Sequence, residues 1–116
     1  MDKKFLDSFR LWPVDEEWAG VLERYCVNGY HPGSFFESVL ANDLSGAAHR
    51  THPSNQWEEI VKLMKWLQQR APSVCWGSYE KVQAWIDLTN DQRRAILEAD
   101  DLLMSPWDHL KEKETV

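Results

Sequence analysis

Asn55-Gln56-Trp57-Glu58-Glu59-Ile60-Val61-Lys62-Leu63-Met64-Lys65-Trp66-Leu67-Gln68-Gln69-Arg70 is the stretch that decides the fold. Trp57, Ile60, Val61, Met64 and Leu67 recur at the spacing that gathers side chains on one face of an α-helix. Leu63 and Trp66 widen that face, so the stretch predicts a central helix touched on more than one side. Glu58 and Lys62 stand four residues apart, where an ion pair adds ~0.3–0.5 kcal/mol. Ala71-Pro72 closes the segment.

The same helical period runs through most of the chain. Phe5, Leu6 and Phe9 form a short amphipathic segment over residues 2–11, stopped by Trp12-Pro13, because proline disfavours helix at the residue before it. Asp15 is placed to cap a helix with Trp18, Val21, Leu22 and Tyr25 inward and Gly29 as its left-handed stop. Ser34-Phe35-Phe36-Glu37 reads as a capping box, Ser34 capping and Glu37 reaching back. Asn42-Asp43 then bends the chain, and Asp43 can cap a short turn from Leu44 to His49. Thr51-His52-Pro53 marks a new start, with Pro53 early in a helix. Ser78 caps a helix with Val82, Trp85 and Ile86 inward. Thr89-Asn90-Asp91-Gln92 is a second capping box. The helix after it carries Ile96, Ala99 and Leu103 inward and Arg93, Arg94 and Glu98 outward, and Ser105-Pro106 interrupts it. Only Val74-Cys75-Trp76 has strand character, and it is too short to anchor a sheet. The expected fold is all-α: one compact domain of five to six helices over residues 1–104, followed by a charged tail, 105–116.

Composition narrows the function. A chain of 116 residues with 43% hydrophobic residues is long enough for one core. Its seven tryptophans are too many for a core of that size, so some are expected at the surface. The net charge of −6 argues against a phosphate-backbone binder, which needs a basic footprint, and suits a partner with a basic surface. Acidic residues cluster at Asp15, Glu16, Glu17 and Glu23 and again from Asp87 to Asp101. Lys62, Lys65, Arg93 and Arg94 interrupt that field, so a solvated face is expected rather than a nucleic-acid mimic. The segment MDKKFLDSF has no apolar run of signal-peptide length, and no stretch approaches a membrane span. Cys26 and Cys75 fit no zinc or redox spacing, so free thiols in a reducing compartment are expected.

Two aromatic joints carry the unusual residues: Gly29-Tyr30-His31-Pro32-Gly33-Ser34-Phe35 and Pro72-Ser73-Val74-Cys75-Trp76-Gly77-Ser78. Each precedes a helix, so each could offer backbone N–H groups to an anion, but neither holds a lysine or arginine. Capping is the stronger reading of Ser34 and Ser78. Cys26, His31, His49 and His52 could supply a tetrahedral metal site in principle, yet Cys26 lies beside an apolar stripe and His49-x2-His52 straddles a break. Cys75 ahead of a helix start could act as a thiolate with His31 as its base, but no local signature supports that pair. The adjacent acids Asp100-Asp101 diverge on a helix and do not form a catalytic pair. Exposed Trp and Tyr are typical interface anchors, and Tyr30, Trp76 and Tyr79 sit in or beside the joints.

The ordered set Tyr30-His31-Pro32-Gly33-Ser34-Phe35, Val39-Leu40-Ala41-Asn42-Asp43-Leu44, Asn55, Pro72 with Cys75-Trp76-Gly77-Ser78, and Val82 with Trp85 resembles a group of small helical proteins encoded by bacteriophages and prophages. The resemblance spans roughly residues 18–88. Two departures stand out: Ser34 replaces a second glycine in the first joint, and Thr51-His52-Pro53 replaces an Ala-Asp before Asn55. The resemblance implies a viral origin, a bacterial host cytoplasm and a small accessory role, and it carries no catalytic residues with it.

The expectation is therefore a non-enzymatic protein without metal or cofactor. It would bind and modulate a host bacterial protein or complex, such as a defence system, with no direct contact to nucleic acid or membrane. The alternative is a binder of a small molecule or nucleotide signal. The expected binding surface comprises Tyr30, His31, Ser34, Asn42, Asp43, Asn55, Trp76 and Ser78. The breadth of the 55–70 face is also compatible with a homo-oligomer.

Overall fold

A computed structural model describes residues 2–50 and 57–104. Asn55, the start at Thr51-His52-Pro53, Ser105-Pro106, Trp107 and the 105–116 tail lie outside the described residues.

Seven α-helices and no strand occur among the described residues: α1 Lys3–Asp7, α2 Glu16–Asn28, α3 Ser34–Leu40, α4 Leu44–Arg50, α5 Trp57–Gln69, α6 Tyr79–Asp87 and α7 Asn90–Ala99, with a 3-10 turn at Ser73–Cys75. The all-α expectation is met with more helices than expected, since Asp2 caps a distinct α1 and Asp43 a distinct α4. Asp2 accepts from the Lys4 and Phe5 amides, and Asp43 Oδ1 accepts from Gly46 N–H at 2.9 Å.

Most of the expected helix ends form. Asp15 accepts from Glu17 N–H and Ser78 from Lys81 N–H, while Thr89 and Gln92 make the full capping box. Gly29 ends α2 at φ +70. Two further ends use left-handed residues other than glycine. Asn42, at φ 62, closes α3: its N–H reaches Val39 O, and Asp43 N–H reaches Ser38 O. Asp101, also at φ 62, closes α7 through its N–H to Glu98 O and Leu102 N–H to Leu97 O. Both are the reciprocal pair of bonds of a Schellman motif. The second one stops α7 at Ala99, before Leu103, which is buried beyond the helix.

Four sequence expectations are corrected. The Ser34–Glu37 capping box does not form, because Gly33 is the cap and Ser34 the first helical residue, without a side-chain cap bond. Glu37 is engaged instead by His31, at 2.7 Å. The buried face of α5 is Ile60, Leu63, Trp66 and Leu67, while Trp57 and Val61 are exposed. Lys62 pairs with Glu59 at 3.0 Å, three residues away, rather than with Glu58. Arg93, expected outside, is buried, and Ala99, expected inside, is exposed.

The core is aromatic and its polar handles are satisfied, as buried indole and phenol groups require. Trp66 stacks on Phe9 with ring centroids 4.5 Å apart and meets Phe5 edge-on at 5.7 Å. Its indole N–H donates to Ser8 Oγ at 2.9 Å, and Ser8 donates onward to Phe5 O. Trp85 donates to Cys26 O and Tyr25 to Cys75 O, tying α2 to the second joint and to α6. A second cluster, Trp18 with Phe35 and Phe36, fixes α3 against α2. Trp66 and Trp85 are fully buried, Trp12, Trp18 and Trp76 are half-buried, and Trp57 is exposed, so the tryptophans do exceed what the core holds.

Candidate functional site

Helices α3, α4 and α6 meet at one corner. The Asn42 left-handed turn reverses the chain between α3 and α4. The second joint closes over it, with Gly77 N–H donating to Leu40 O at 2.6 Å. This bond delivers Tyr79, the first residue of α6, to the α3–α4 turn.

A continuous polar network results. The Tyr79 phenol donates to Asp43 Oδ2 at 2.6 Å and lies 3.4 Å from Ser38 Oγ. Ser38 donates to Ser34 O, and Arg50 Nη1 donates to Ser38 Oγ at 2.7 Å. Gly46 lets the corner close, because a Cβ there would stand 2.3 Å from Asp43 Oδ2 and 2.5 Å from Arg50 Nη1. The Tyr79 hydrogen bond, the Gly46 amide and the nearby Arg50 charge together hold the Asp43 carboxyl below its ordinary value, against a smaller opposing effect of desolvation. A carboxylate stabilised in this way is a weak base at neutral pH. Ser38 is buried, with its proton committed to a carbonyl. The hydroxyls and the carboxylate of this corner are committed to one another and to the backbone.

This network carries a pH signature. A carboxyl lowered in the folded state adds stability that is fully present above the unfolded value, near pH 4, and is lost as pH falls through the folded value. Asp43→Asn keeps a capping side chain but removes the charge. We expect it to be less stable than wild type at pH 7 in urea titrations, with the gap narrowing towards pH ~3. A gap of the same size at both pH values would contradict the assigned charge contribution.

The predicted site residues divide between roles. Asn42, Asp43 and Ser78 belong to this corner, where they are respectively a left-handed helix end, a cap and a cap. Trp76 packs half-buried against the core. Ser34, exposed, opens α3. Tyr30 is exposed at the other joint. His31 is exposed beside it, with Nδ1 accepting from Gly33 N–H at 3.1 Å and Nε2 meeting Glu37. Both joints are tied to Tyr25, the first by Gly29 N–H donating to its carbonyl and the second by its phenol donating to Cys75 O, while His31 of the first turns to Glu37 and Gly77 of the second to Leu40. The glycine amides at both helix starts are occupied, Gly33 N–H by His31 and Gly77 N–H by Leu40 O, so neither points free at an anion.

The thiols of Cys26 and Cys75 are free, as expected, and fully buried away from solvent. A hydrogen bond with the Cys75 thiol, then burial, pushes the Cys26 thiol well above its ordinary value. Burial does the same for the Tyr25 phenol beside them. His31 is engaged by Glu37 and Gly33 and does not orient Cys75. Among the described residues, no group of three or more His, Cys, Asp or Glu side chains could hold a metal ion. Among those residues, too, no helix is long and apolar enough to cross a membrane.

The corner presents Tyr79, which the sequence singled out, together with Leu44 and Val74, which it did not single out as interface anchors. Tyr79 is 43% exposed, Leu44 48% and Val74 51%. Tyr79 was legible beside the second joint, whereas Ser38 and Arg50 carried no local signal, since each acts across a helix boundary. Comparison with protein-family models, curated proteins and solved structures found no match to this chain.

Proposed function

We propose that this chain is a small acidic accessory protein of phage origin that binds and modulates a host bacterial protein or protein complex, such as a component of a defence system, through the α3–α4–α6 corner. The observation that carries the reading is Tyr79, whose hydroxyl is pinned to Asp43 while its ring stands open to solvent. An aromatic ring fixed before binding loses little conformational entropy when a partner covers it. Leu44, next to Asp43, and Val74, within the second joint, add exposed apolar area, and the net charge of −6 favours approach to a basic surface. The resemblance to phage proteins supports the host setting. Binding, rather than turnover, suits a corner whose hydroxyls and carboxylate are committed to one another.

Tagged wild type, Leu44→Glu and Val74→Glu should be compared in bacterial lysates, since both substitutions leave the polar network intact. Wild type should recover one stoichiometric host protein, and each variant should reduce that recovery at least about tenfold, the loss of ~1.4 kcal/mol expected at an anchor position. Equal recovery by all three proteins would move the interface elsewhere, and recovery of nothing above background would remove the binding reading.

A further inference from the structure

The end of α1 and the turn after it form one wall of a cleft of about 460 Å³, and the C-terminal end of α5 with Asp101 forms the other. Lys4, Arg10 and Arg70 line it together with Asp7, Asp101, Leu11 and Trp12. Its volume falls within the range of small-ligand sites, ~300–1,000 Å³.

Charge is distributed unevenly there. Three cations face two carboxylates, which leaves one positive charge on a chain whose net charge is −6. Lys4 is paired with Asp101. Arg10 approaches Asp7 only at 3.8 Å, and its side chain is 79% exposed. Arg70 is the informative group. Its Nη2 reaches the Asp101 carbonyl at a long 3.4 Å, and its Nε is buried with no hydrogen-bond partner. A buried donor without an acceptor is rare in folded proteins and points to a missing partner. Arg70 lines the cleft, and pairing its Nε with an acceptor there requires the guanidinium to turn towards it.

We propose that this cleft binds a small monocarboxylate with an apolar body, the carboxylate paired with the Arg70 guanidinium and the body lying against Leu11 and Trp12. The edge formed by Nε–H and one Nη–H of a guanidinium matches the two oxygens of a carboxylate. A single negative charge balances the local excess, whereas a phosphate dianion would face Asp7 and Asp101 with one charge too many. The exposed Leu11 and half-buried Trp12 give the apolar body a surface to cover. This site is separate from the Tyr79 corner, and neither proposal depends on the other.

The test is a titration of the full chain with benzoate at constant ionic strength, followed in ¹⁵N spectra through the Trp12 indole N–H in every protein and, where Arg70 is present, through its Nε–H as well. Benzoate should shift these resonances saturably with a dissociation constant of about 1 mM, in keeping with so small a ligand. Acetate, lacking the body, should bind about tenfold more weakly, and inorganic phosphate should bind more weakly than benzoate. Arg70→Lys keeps the charge, loses the fork and should weaken benzoate about tenfold. Arg10→Gln, at an exposed position, should weaken it about threefold. No saturable shift, unchanged affinity in either variant, or phosphate binding more tightly than benzoate would overturn the assignment.

Discussion

Arg93→Ala is expected to lower stability by about 3–5 kcal/mol, the range for removing one member of a buried, hydrogen-bonded charge network. For a domain whose total is ~5–15 kcal/mol, that loss approaches unfolding. The reason lies in what the guanidinium touches. Arg93 is 4% exposed, and no carboxylate is among its hydrogen-bond partners. Nε donates to Val27 O at 3.2 Å and Nη2 to Asn28 O at 3.1 Å. Nη1 donates to Trp85 O, Ile86 O and Leu88 O, and Nη2 also to Asn90 Oδ1. The charge is therefore neutralised by the carbonyl ends of α2 and α6, the negative poles of both helices. Truncation would leave those carbonyls facing a void.

The close approach also constrains Gly29, where a Cβ would stand 2.5 Å from Arg93 Nη1. Arg93→Lys should recover only part of the loss, because an ammonium has three donors and no planar fork. Urea unfolding followed by tryptophan fluorescence gives both values. A loss below ~1 kcal/mol for Arg93→Ala would show that water replaces the guanidinium without cost.

Trp66→Ala is expected to lower stability by a further class of effect, about 3–5 kcal/mol from lost contact and the cavity left behind. Trp66 is the floor on which α1 sits, through Phe9 stacked above it and Phe5 against its edge. With the indole gone, Ser8 loses its donor and α1 loses its anchor. Local release should therefore accompany the global change. Limited proteolysis should cut Trp66→Ala within residues 2–14 well before wild type. Trp66→Phe should retain much of the packing and lose the bond to Ser8, at a cost of ~1–2 kcal/mol. Wild-type resistance to cleavage of this segment in Trp66→Ala would place the anchor of α1 elsewhere.

These two residues also show where the sequence could be read and where it could not. Helix ends were legible because they depend on neighbours: Asp15, Asp43, Ser78 and the Thr89–Gln92 box all satisfy amides two or three residues away. The Ser34–Glu37 box failed because Gly33 takes the cap position one residue earlier, and His31, held by the Gly33 amide, engages Glu37 instead. On α5 the apolar positions exceed what one face can bury, so periodicity could not choose between Trp57 and Trp66. Arg93 was invisible for a different reason. A charge is placed outside by default, and only the meeting of two helix ends, far apart in sequence, supplies enough acceptors to bury it. The candidate site was half legible. Asn42, Asp43 and Ser78 were singled out because they are unusual, and they prove to shape the corner. Tyr79, legible beside the second joint, presents it together with Leu44 and Val74, ordinary residues whose exposure only the packing decides.

Several of the polar bonds that join the helices share one property. Trp66 with Ser8, Tyr25 with Cys75, Trp85 with Cys26, Tyr79 with Asp43, and Arg93 with Val27 and Asn28 each join a residue before position 51 to one after position 56. Each half of the chain leaves some of its buried groups to be satisfied by the other. During synthesis, the first half must wait for the second to emerge, and the last clasp, Arg93, arrives near the end. A chain cut between the halves would yield two incomplete pieces with every reason to find each other, which makes this small protein a natural candidate for a split reporter.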